Sequence, residues 1–139
     1  MTKHREGSKK WLVGFLHLES NEKNLGKPIS QPYLAPRLVD NLTEKGFTFT
    51  NEISDADYII QLKAQTREGS EVFGQFSTFV DFSISATNLI EGKKIFQKMK
   101  ADIKGLHLSY QKAGLKAFET AQERLSEQIL PELITALSR

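Results

Sequence analysis

The segment from Asp55 to Gly105 constrains the fold more than any other part of the chain. It contains three consecutive stretches in which apolar and polar residues alternate. Such alternation is typical of β-strands that have one buried and one exposed face. Neighbouring long strands predict a sheet, and their apolar face requires a cover from other elements. The segment therefore predicts a layered fold and leaves little room for a catalytic site.

Side-chain alternation assigns the two faces of these strands. In the first two strands of the segment the inward residues are Tyr58, Ile60, Leu62, Ala64, Phe76, Val80, Phe82, Ile84 and Ala86. In the last strand we expect Ile95, Met99, Ala101 and Ile103 to point inward, and Lys94, Phe96, Lys98, Lys100 and Lys104 outward. Glu68-Gly69-Ser70 predicts the first hairpin turn, and Asn88 to Gly92 predicts the second.

The elements before this segment are a strand, a helix and a short strand. Apolar residues occupy both odd and even positions from Trp11 to Glu19, which predicts a strand covered on both faces. Leucines at spacing four predict a helix over residues 33–45, with Gly46 beyond its end. Phe47 to Asn51 predicts the short strand.

A final helix follows the strands and begins near Ser109, a residue suited to the N-cap. Its predicted buried stripe is Ala113, Gly114, Ala117, Phe118, Ala121, Leu125 and Ile129. Pro131 should kink this helix or start a second segment. The predicted fold is an α+β two-layer sandwich with the order β-α-β-β-β-β-α. Its sheet is mixed or antiparallel, and both helices lie on one face.

Length and composition restrict the compartment and the domain count. The 139 residues fit one domain, which we assign to residues 11–139 behind a flexible basic arm at 1–10. The chain has no cysteine, which excludes disulfides, thiolate ligands and a lipidated cysteine in the chain as given. No apolar run approaches the ~20 residues that a membrane helix needs. We therefore expect no transmembrane segment, and membrane contact only through a lipid anchor absent from this chain.

The sequence contains no recognisable motif for catalysis, cofactor binding or metal binding. The three histidines, His4, His17 and His107, are not spaced as metal ligands. Asp55 and Asp57 fit a turn that starts a strand better than a pair of catalytic carboxylates. No nucleophile elbow, phosphate-binding loop or dinucleotide fingerprint is present. We predict no enzyme activity and no catalytic, cofactor-binding or metal-binding residue.

The outward face of the predicted sheet is the main candidate partner-binding surface. Its candidate residues are Lys63, Arg67, Phe79, Phe96, Lys98, Lys100 and Lys104. Cations beside aromatic rings also suit single-stranded nucleic acid, so a domain that binds it through Phe79, Phe96, Lys98, Lys100 and Lys104 is the alternative function. Asp81, Asp102 and many Ser and Gln residues dilute the positive charge, which argues against nucleic acid and leaves a solvated face open. The exposed side of the last helix is a second candidate surface.

Several segments resemble a superfamily of bacterial envelope lipoproteins. These are Asp55 to Leu62 (DADYIIQL), the strand Phe76 to Ala86, the turn and strand Gly92 to Phe96, Lys104-Gly105, and the helix from Ala113 to Leu133. The superfamily shares an anticodon-binding-domain-like α+β fold. It includes the curli secretion channel subunit, the amino-terminal domain of TolB, flagellar protein FlgT, penicillin-binding-protein activators and Helicobacter-type surface lipoproteins.

This resemblance implies a non-enzymatic envelope component that binds another envelope protein or itself as an oligomer. It implies the periplasm or the outer membrane, with the cytoplasm as the alternative. The signal peptide and lipidated cysteine of such lipoproteins are missing, so we interpret the chain as a mature region behind a new Met1. No long insertion for transmembrane hairpins is present, so pore formation is not expected.

Overall fold

The computed structural model describes residues 14–139 and shows a mixed sheet with helices packed on one side. The strands are β1 (Phe15–Asn24), β2 (Lys27–Pro28), β3 (Thr48–Phe49), β4 (Tyr58–Val72), β5 (Gln75–Asn88) and β6 (Lys93–His107). The helices are α1 (Leu34–Glu44), α2 (Tyr110–Arg124) and α3 (Leu130–Leu137). This is the predicted α+β two-layer sandwich. The predicted arm at 1–10 and the first residues of the first strand lie outside the described residues.

The sheet order is β2-β1-β4-β5-β6, with β3 also paired to β1. β1 runs parallel to β3 and β4, while the β4–β5 and β5–β6 pairs are antiparallel. Among the described residues, the far side of β6 carries no further strand. β6 is therefore an edge strand with lysines along its length, a feature that discourages edge-to-edge aggregation.

The first strand differs from its prediction in extent and in cover. β1 continues to Asn24 because it pairs with β4 as far as Lys23 opposite Gln65. Leu16 is buried, but His17 is only half-buried and Glu19 is exposed. The prediction of a strand covered on both faces was wrong, since the helices cover one side of the sheet only. α1 lies within one residue of its prediction, and β3 is shorter than predicted.

The first hairpin turn also lies elsewhere than predicted. β4 continues through Glu68-Gly69-Ser70 with an irregularity in pairing between Glu68 and Glu71, and the chain turns at Phe73-Gly74. The hydroxyl of Ser77 explains the continuation. Its Oγ accepts the Ser70 N–H at 2.8 Å and donates to the Ser70 carbonyl at 3.1 Å, which holds the irregular stretch within the ladder.

The core lies between the helices and the inward residues of β4 and β5. The predicted stripe of α2 is confirmed, because all of its residues are buried. Ser109 caps α2 as predicted, with Oγ accepting the Lys112 N–H at 3.1 Å. A π-helical turn over Leu125–Ile129 joins α2 to α3, and Pro131 lies in the first turn of α3. The predicted interruption near Pro131 is thus confirmed.

Two glycines let α2 lie directly against the sheet. A Cβ added at Gly105 of β6 would lie 2.1 Å from the Ala113 carbonyl oxygen and 2.4 Å from the Ala117 nitrogen. A Cβ at Gly114 would lie 2.0 Å from Oδ1 of Asn24. Such distances are well inside van der Waals contact. Gly105 faces backbone atoms that cannot move aside and so must be glycine for this packing, whereas a side chain at position 114 would displace the Asn24 amide.

A buried carboxylate from β1 caps α1 across the structure. Oε1 of Glu22 accepts the N–H groups of Tyr33 and Leu34 at 2.8 and 2.9 Å, and Oε2 accepts that of Ala35 at 2.9 Å. These N–H groups belong to the helix start, which lacks partners within the helix and carries partial positive charge. Glu22 therefore fixes the position of α1 against the sheet.

Candidate interaction surface

The side of the sheet opposite the helices is uncovered by any described residue, and we call it the open face. Cross-strand pairing aligns its side chains in rows. One row is Glu19, Gln61, Ser85 and Gln97; the next is Asn21, Lys63, Ser83 and Met99; a third contains Lys23, Gln65 and Asp81; a fourth is Arg67, Phe79 and Lys104. The face is polar with scattered charges and few apolar side chains.

Four of the seven predicted surface residues, Lys63, Arg67, Phe79 and Lys104, lie on the open face. Lys63 pairs with Ser83, and Phe79 lies between Arg67 and Lys104 in one row. The structure thus brings together two lysines, an arginine and an aromatic ring on an uncovered surface. Their role in binding a partner stays a prediction.

The predicted outward orientation of Phe96, Lys98 and Lys100 was wrong. These residues pair with Ala86, Ile84 and Phe82, whose side chains point toward the helices. Phe96 packs against the core, and Lys98 Nζ lies 3.1 Å from Oε1 of Glu132 in α3. Conversely Met99, predicted inward, pairs with Ser83 on the open face and is 66% exposed.

Two register shifts in β6 cause this exchange of faces. Pairing slips between Val80 and Phe82 and again between Ala86 and Thr87. One extra residue in a strand moves every following side chain to the opposite face. Asp102, at the first shift, has φ +61, a conformation that Asp tolerates better than most residues. Asp102, a short polar residue within a strand pattern, was the sequence signal for this bulge. The alternation of polar and apolar residues alone does not reveal it.

Arg67 joins two carboxylates at this bulge. Its Nε and Nη2 each lie 3.2 Å from Asp81, and Nη2 also donates to Oδ1 of Asp102. Asp81 Oδ1 accepts the Asp102 N–H at 2.8 Å, and the guanidinium carbon lies 5.1 Å from the centroid of the Phe79 ring. Arg67 therefore braces the bulge as well as contributing to the open face.

The same contacts set the ionisation of the network. Burial acts to raise the pKa of Asp81, but hydrogen bonds from Arg67 and from the Asp102 N–H outweigh it and hold that pKa below its usual value. Hydrogen bonds to Asp81 and then to Asp102 raise the pKa of Arg67. One arginine thus pairs with two aspartates, which leaves the network with a net charge of −1. In the described part of the chain, Lys63 and Lys104 form no ion pair, so both cations are available to a partner.

Three of the residues weighed above for catalysis or metal binding make structural contacts. Oδ2 of Asp57 accepts the Phe15 N–H at 2.9 Å, which ties the start of β4 to β1. Nδ1 of His17 lies 3.0 Å from the Thr50 carbonyl oxygen, and Nδ1 of His107 accepts the Leu108 N–H at 2.8 Å. Within residues 14–139, no group of three or more His, Asp or Glu side chains could hold a metal ion.

A shallow depression on the open face has a volume of about 320 Å³. Its polar lining includes Asn21, Lys63, Gln65, Asp81 and Ser83, with Met99 at its side. These groups can donate and accept hydrogen bonds, and Phe79 in the next row offers a ring for stacking. Such an arrangement suits contact with another macromolecule. It does not favour single-stranded nucleic acid, because the predicted combination of Phe79 with Phe96 and Lys98 is divided between two faces.

Helices in the described part of the chain are all too short or too polar to cross a membrane.

Comparison with known proteins gives similarity at the level of structure only. No family model and no curated protein sequence matches the chain. Protein XCC0632 from Xanthomonas campestris, described with the family model DUF330, aligns with a TM-score of 0.57 at 12% identity. That alignment covers 88% of this chain and 84% of XCC0632.

Two further bacterial structures share the architecture. Lipoprotein GNA1162 from Neisseria meningitidis aligns with a TM-score of 0.51 at 10% identity, over 84% of this chain and 97% of its own. The hypothetical protein CT253 from Chlamydia trachomatis gives 0.51 at 8% identity, over 90% and 98%. At such low identity these alignments establish the fold alone. The chain thus shares its α+β fold with a bacterial lipoprotein, as the resemblance in its sequence implied.

Proposed function

We propose that this chain is a non-enzymatic module of the bacterial cell envelope that binds another envelope protein through its open face. The observation that carries the proposal is a sheet whose second face is uncovered in the described residues and carries the cations Lys63 and Lys104 beside Phe79. The proposed location is the periplasm or the outer membrane, and the fold shared with a solved lipoprotein supports it.

The chemistry of the open face defines the partner surface that would fit it. Lys63 and Lys104 favour carboxylates, while Phe79 and Met99 provide apolar contact. Polar side chains between them can form direct or water-mediated hydrogen bonds, as the rims of protein interfaces do. A partner surface with acidic groups around a small apolar centre matches these features.

Charge reversal tests this proposal. The tagged chain, a Lys63→Glu/Lys104→Glu variant and a matched Lys27→Glu/Lys45→Glu variant would each capture proteins from an envelope extract of the source organism. Lys27 and Lys45 are exposed but lie off the open face, so the two double variants carry the same change in net charge. We expect one protein to be retained by the wild type and the control variant and lost from the open-face variant.

Light scattering after size exclusion separates this partner from self-association. A strict monomer that captures no envelope protein contradicts the proposal, and so does equal capture by both double variants. Steeply salt-dependent binding to single-stranded oligonucleotides would favour the alternative function instead.

A further inference from the structure

Exposed apolar side chains are concentrated at one end of the molecule. The large apolar residues most exposed in the described chain are Ile53, Val72, Phe73, Ile90, Met99, Leu106 and Leu108. Val72 and Phe73 lie at the β4–β5 turn, and Leu106 and Leu108 lie at the adjoining end of β6, where Leu106 pairs with Ser77. We call these four residues the tip patch. Clusters of this kind mark interaction sites more often than scattered apolar residues do.

Phe73 is the outlier within the tip patch. It is 102% exposed, and it has φ +53 in a two-residue turn with Gly74 at φ +80. Turns of this shape favour Asn-Gly or Gly-Gly, and a bulky residue at positive φ is a strained choice. A fully exposed ring gains no burial in this fold that would offset the strain. The position therefore points to a contact outside the chain.

The hairpin presents Phe73 on a fixed support. The two hydrogen bonds between Ser77 Oγ and the Ser70 backbone hold the strands together close to the turn. Phe79 packs beside Gly69, where an added Cβ would lie 2.8 Å from the ring, and Arg67 lies over that ring. An anchor held in place before binding loses less conformational entropy when it docks.

A groove of about 510 Å³ lies between β6 and α3. Its apolar lining comes from Ile95, Phe96, Pro131 and Ala136. Arg139 and the Lys98–Glu132 ion pair also line it, whereas Glu68 and Glu71 approach the tip on β4. The groove thus shares the apolar character of the tip patch, and Arg139 is the cation of its lining that forms no ion pair in the described chain.

The tip and the groove of one copy cannot meet each other. Phe96 lies near the start of β6, and the tip patch lies beyond its other end, about 35–40 Å away at 3.3 Å per residue. Any contact between them must join two molecules. Such a head-to-tail contact generates a ring or an open chain rather than a two-fold dimer.

We propose that the Phe73 tip of one copy inserts into the β6–α3 groove of a second copy. Phe73 would pack against Phe96, Pro131 and Ala136, with Glu71 facing Arg139. A lipid surface is the less favoured occupant, because Glu68 and Glu71 beside the tip oppose anionic headgroups. The contact uses neither Lys63 nor Lys104, so its test does not depend on whether the open face binds the proposed partner.

Single cysteines test the contact directly, because the chain contains none. Val72→Cys and Ala136→Cys variants, which both keep the Phe73 ring, would be mixed and oxidised under mild conditions. We expect a disulfide-linked heterodimer whose peptide map joins positions 72 and 136. Ile90 is an exposed apolar turn residue at the other end of the strands, so Ile90→Cys with Ala136→Cys is the matched control and should give background linkage only.

Sedimentation velocity across a concentration series provides the second measurement. We expect the wild type to self-associate, and Phe73→Ser to weaken this about tenfold or more, as loss of a central aromatic anchor does. Linkage of the Val72→Cys variant only to another copy of itself would indicate a tip-to-tip contact and overturn the proposal. A concentration-independent wild-type monomer would also overturn it. Phe73-dependent flotation with vesicles of phosphatidylethanolamine and phosphatidylglycerol, without self-association, would replace it with lipid binding.

Discussion

The two faces of the same sheet are specified in different ways. On the helix-covered face, β4 and β5 supply fully buried residues such as Ile60 and Ile84, and Gly105 lies in contact with the backbone of α2. On the open face, Lys63, Ser83 and Met99 form a row that no described element covers. The covered face therefore depends on volume and shape, whereas most side chains of the open face pack against no other element of the described chain.

The largest expected difference between the faces comes from two adjacent residues of β6. Gly105→Ala should lower the free energy of unfolding by about 1–3 kcal/mol, because its Cβ would overlap backbone atoms of α2 that cannot rotate away. Lys104→Ala, on the open face, should change it by less than about 0.5 kcal/mol. Urea unfolding of both variants measures the contrast. Equal losses would show that the helix does not lie as close to β6 as described.

A smaller effect is expected at the buried cap of α1. Glu22→Gln should cost about 1–2 kcal/mol, because the amide keeps one acceptor oxygen where the carboxylate uses two to bind three N–H groups. Glu19→Gln, on the open face of the same strand, is the matched control and should be nearly neutral. The same unfolding assay compares them, and a neutral Glu22→Gln would show that the carboxylate does not stabilise the start of α1.

The smallest effect concerns Arg67 on the open face and depends on pH. Because the pKa of Asp81 is lower in the folded chain, its pairing with Arg67 stabilises the fold above the unfolded-state pKa of about 3.8 and is lost as pH falls through the folded value. The urea midpoints of wild type and Arg67→Gln should therefore differ at pH 7 and converge as the pH falls from about 3.8 through the folded-state pKa of Asp81. A gap that persists in acid would show that Arg67 acts through its packing on Phe79 instead.

The regularity of each strand determined how far the sequence could predict this structure. β4 and β5 alternate without interruption from Tyr58 to Arg67 and from Phe76 to Ala86, and their predicted faces were confirmed. The small-residue stripe of α2 and its Ser109 cap were also predicted correctly, because both are local sequence patterns. The faces of β6 could not be predicted from alternation, since two bulges within its pairing with β5 exchange the faces of Phe96, Lys98 and Met99.

The same difference between regular and bulged strands decided which residues of the candidate surface were predicted correctly. Lys63, Arg67 and Phe79 lie on regular strands and were assigned to the correct face. The Arg67–Asp81–Asp102 network and the Glu22 cap connect residues distant in sequence, so no local sequence pattern predicts them. The tip patch was missed because Glu68-Gly69-Ser70 is a better turn sequence than Phe73-Gly74. The Ser77 hydroxyl shifted the turn to the position with the poorer local propensity.

Photo-cross-linking from the open face tests the central claim most directly. Benzoylphenylalanine at position 79 places the reactive group within the row formed by Arg67 and Lys104, and the same group at the exposed position 45 serves as the control. In cells of the source organism we predict one cross-linked envelope protein from position 79 and none from position 45. Identical products from both positions, or no product from position 79, would contradict a partner-binding open face.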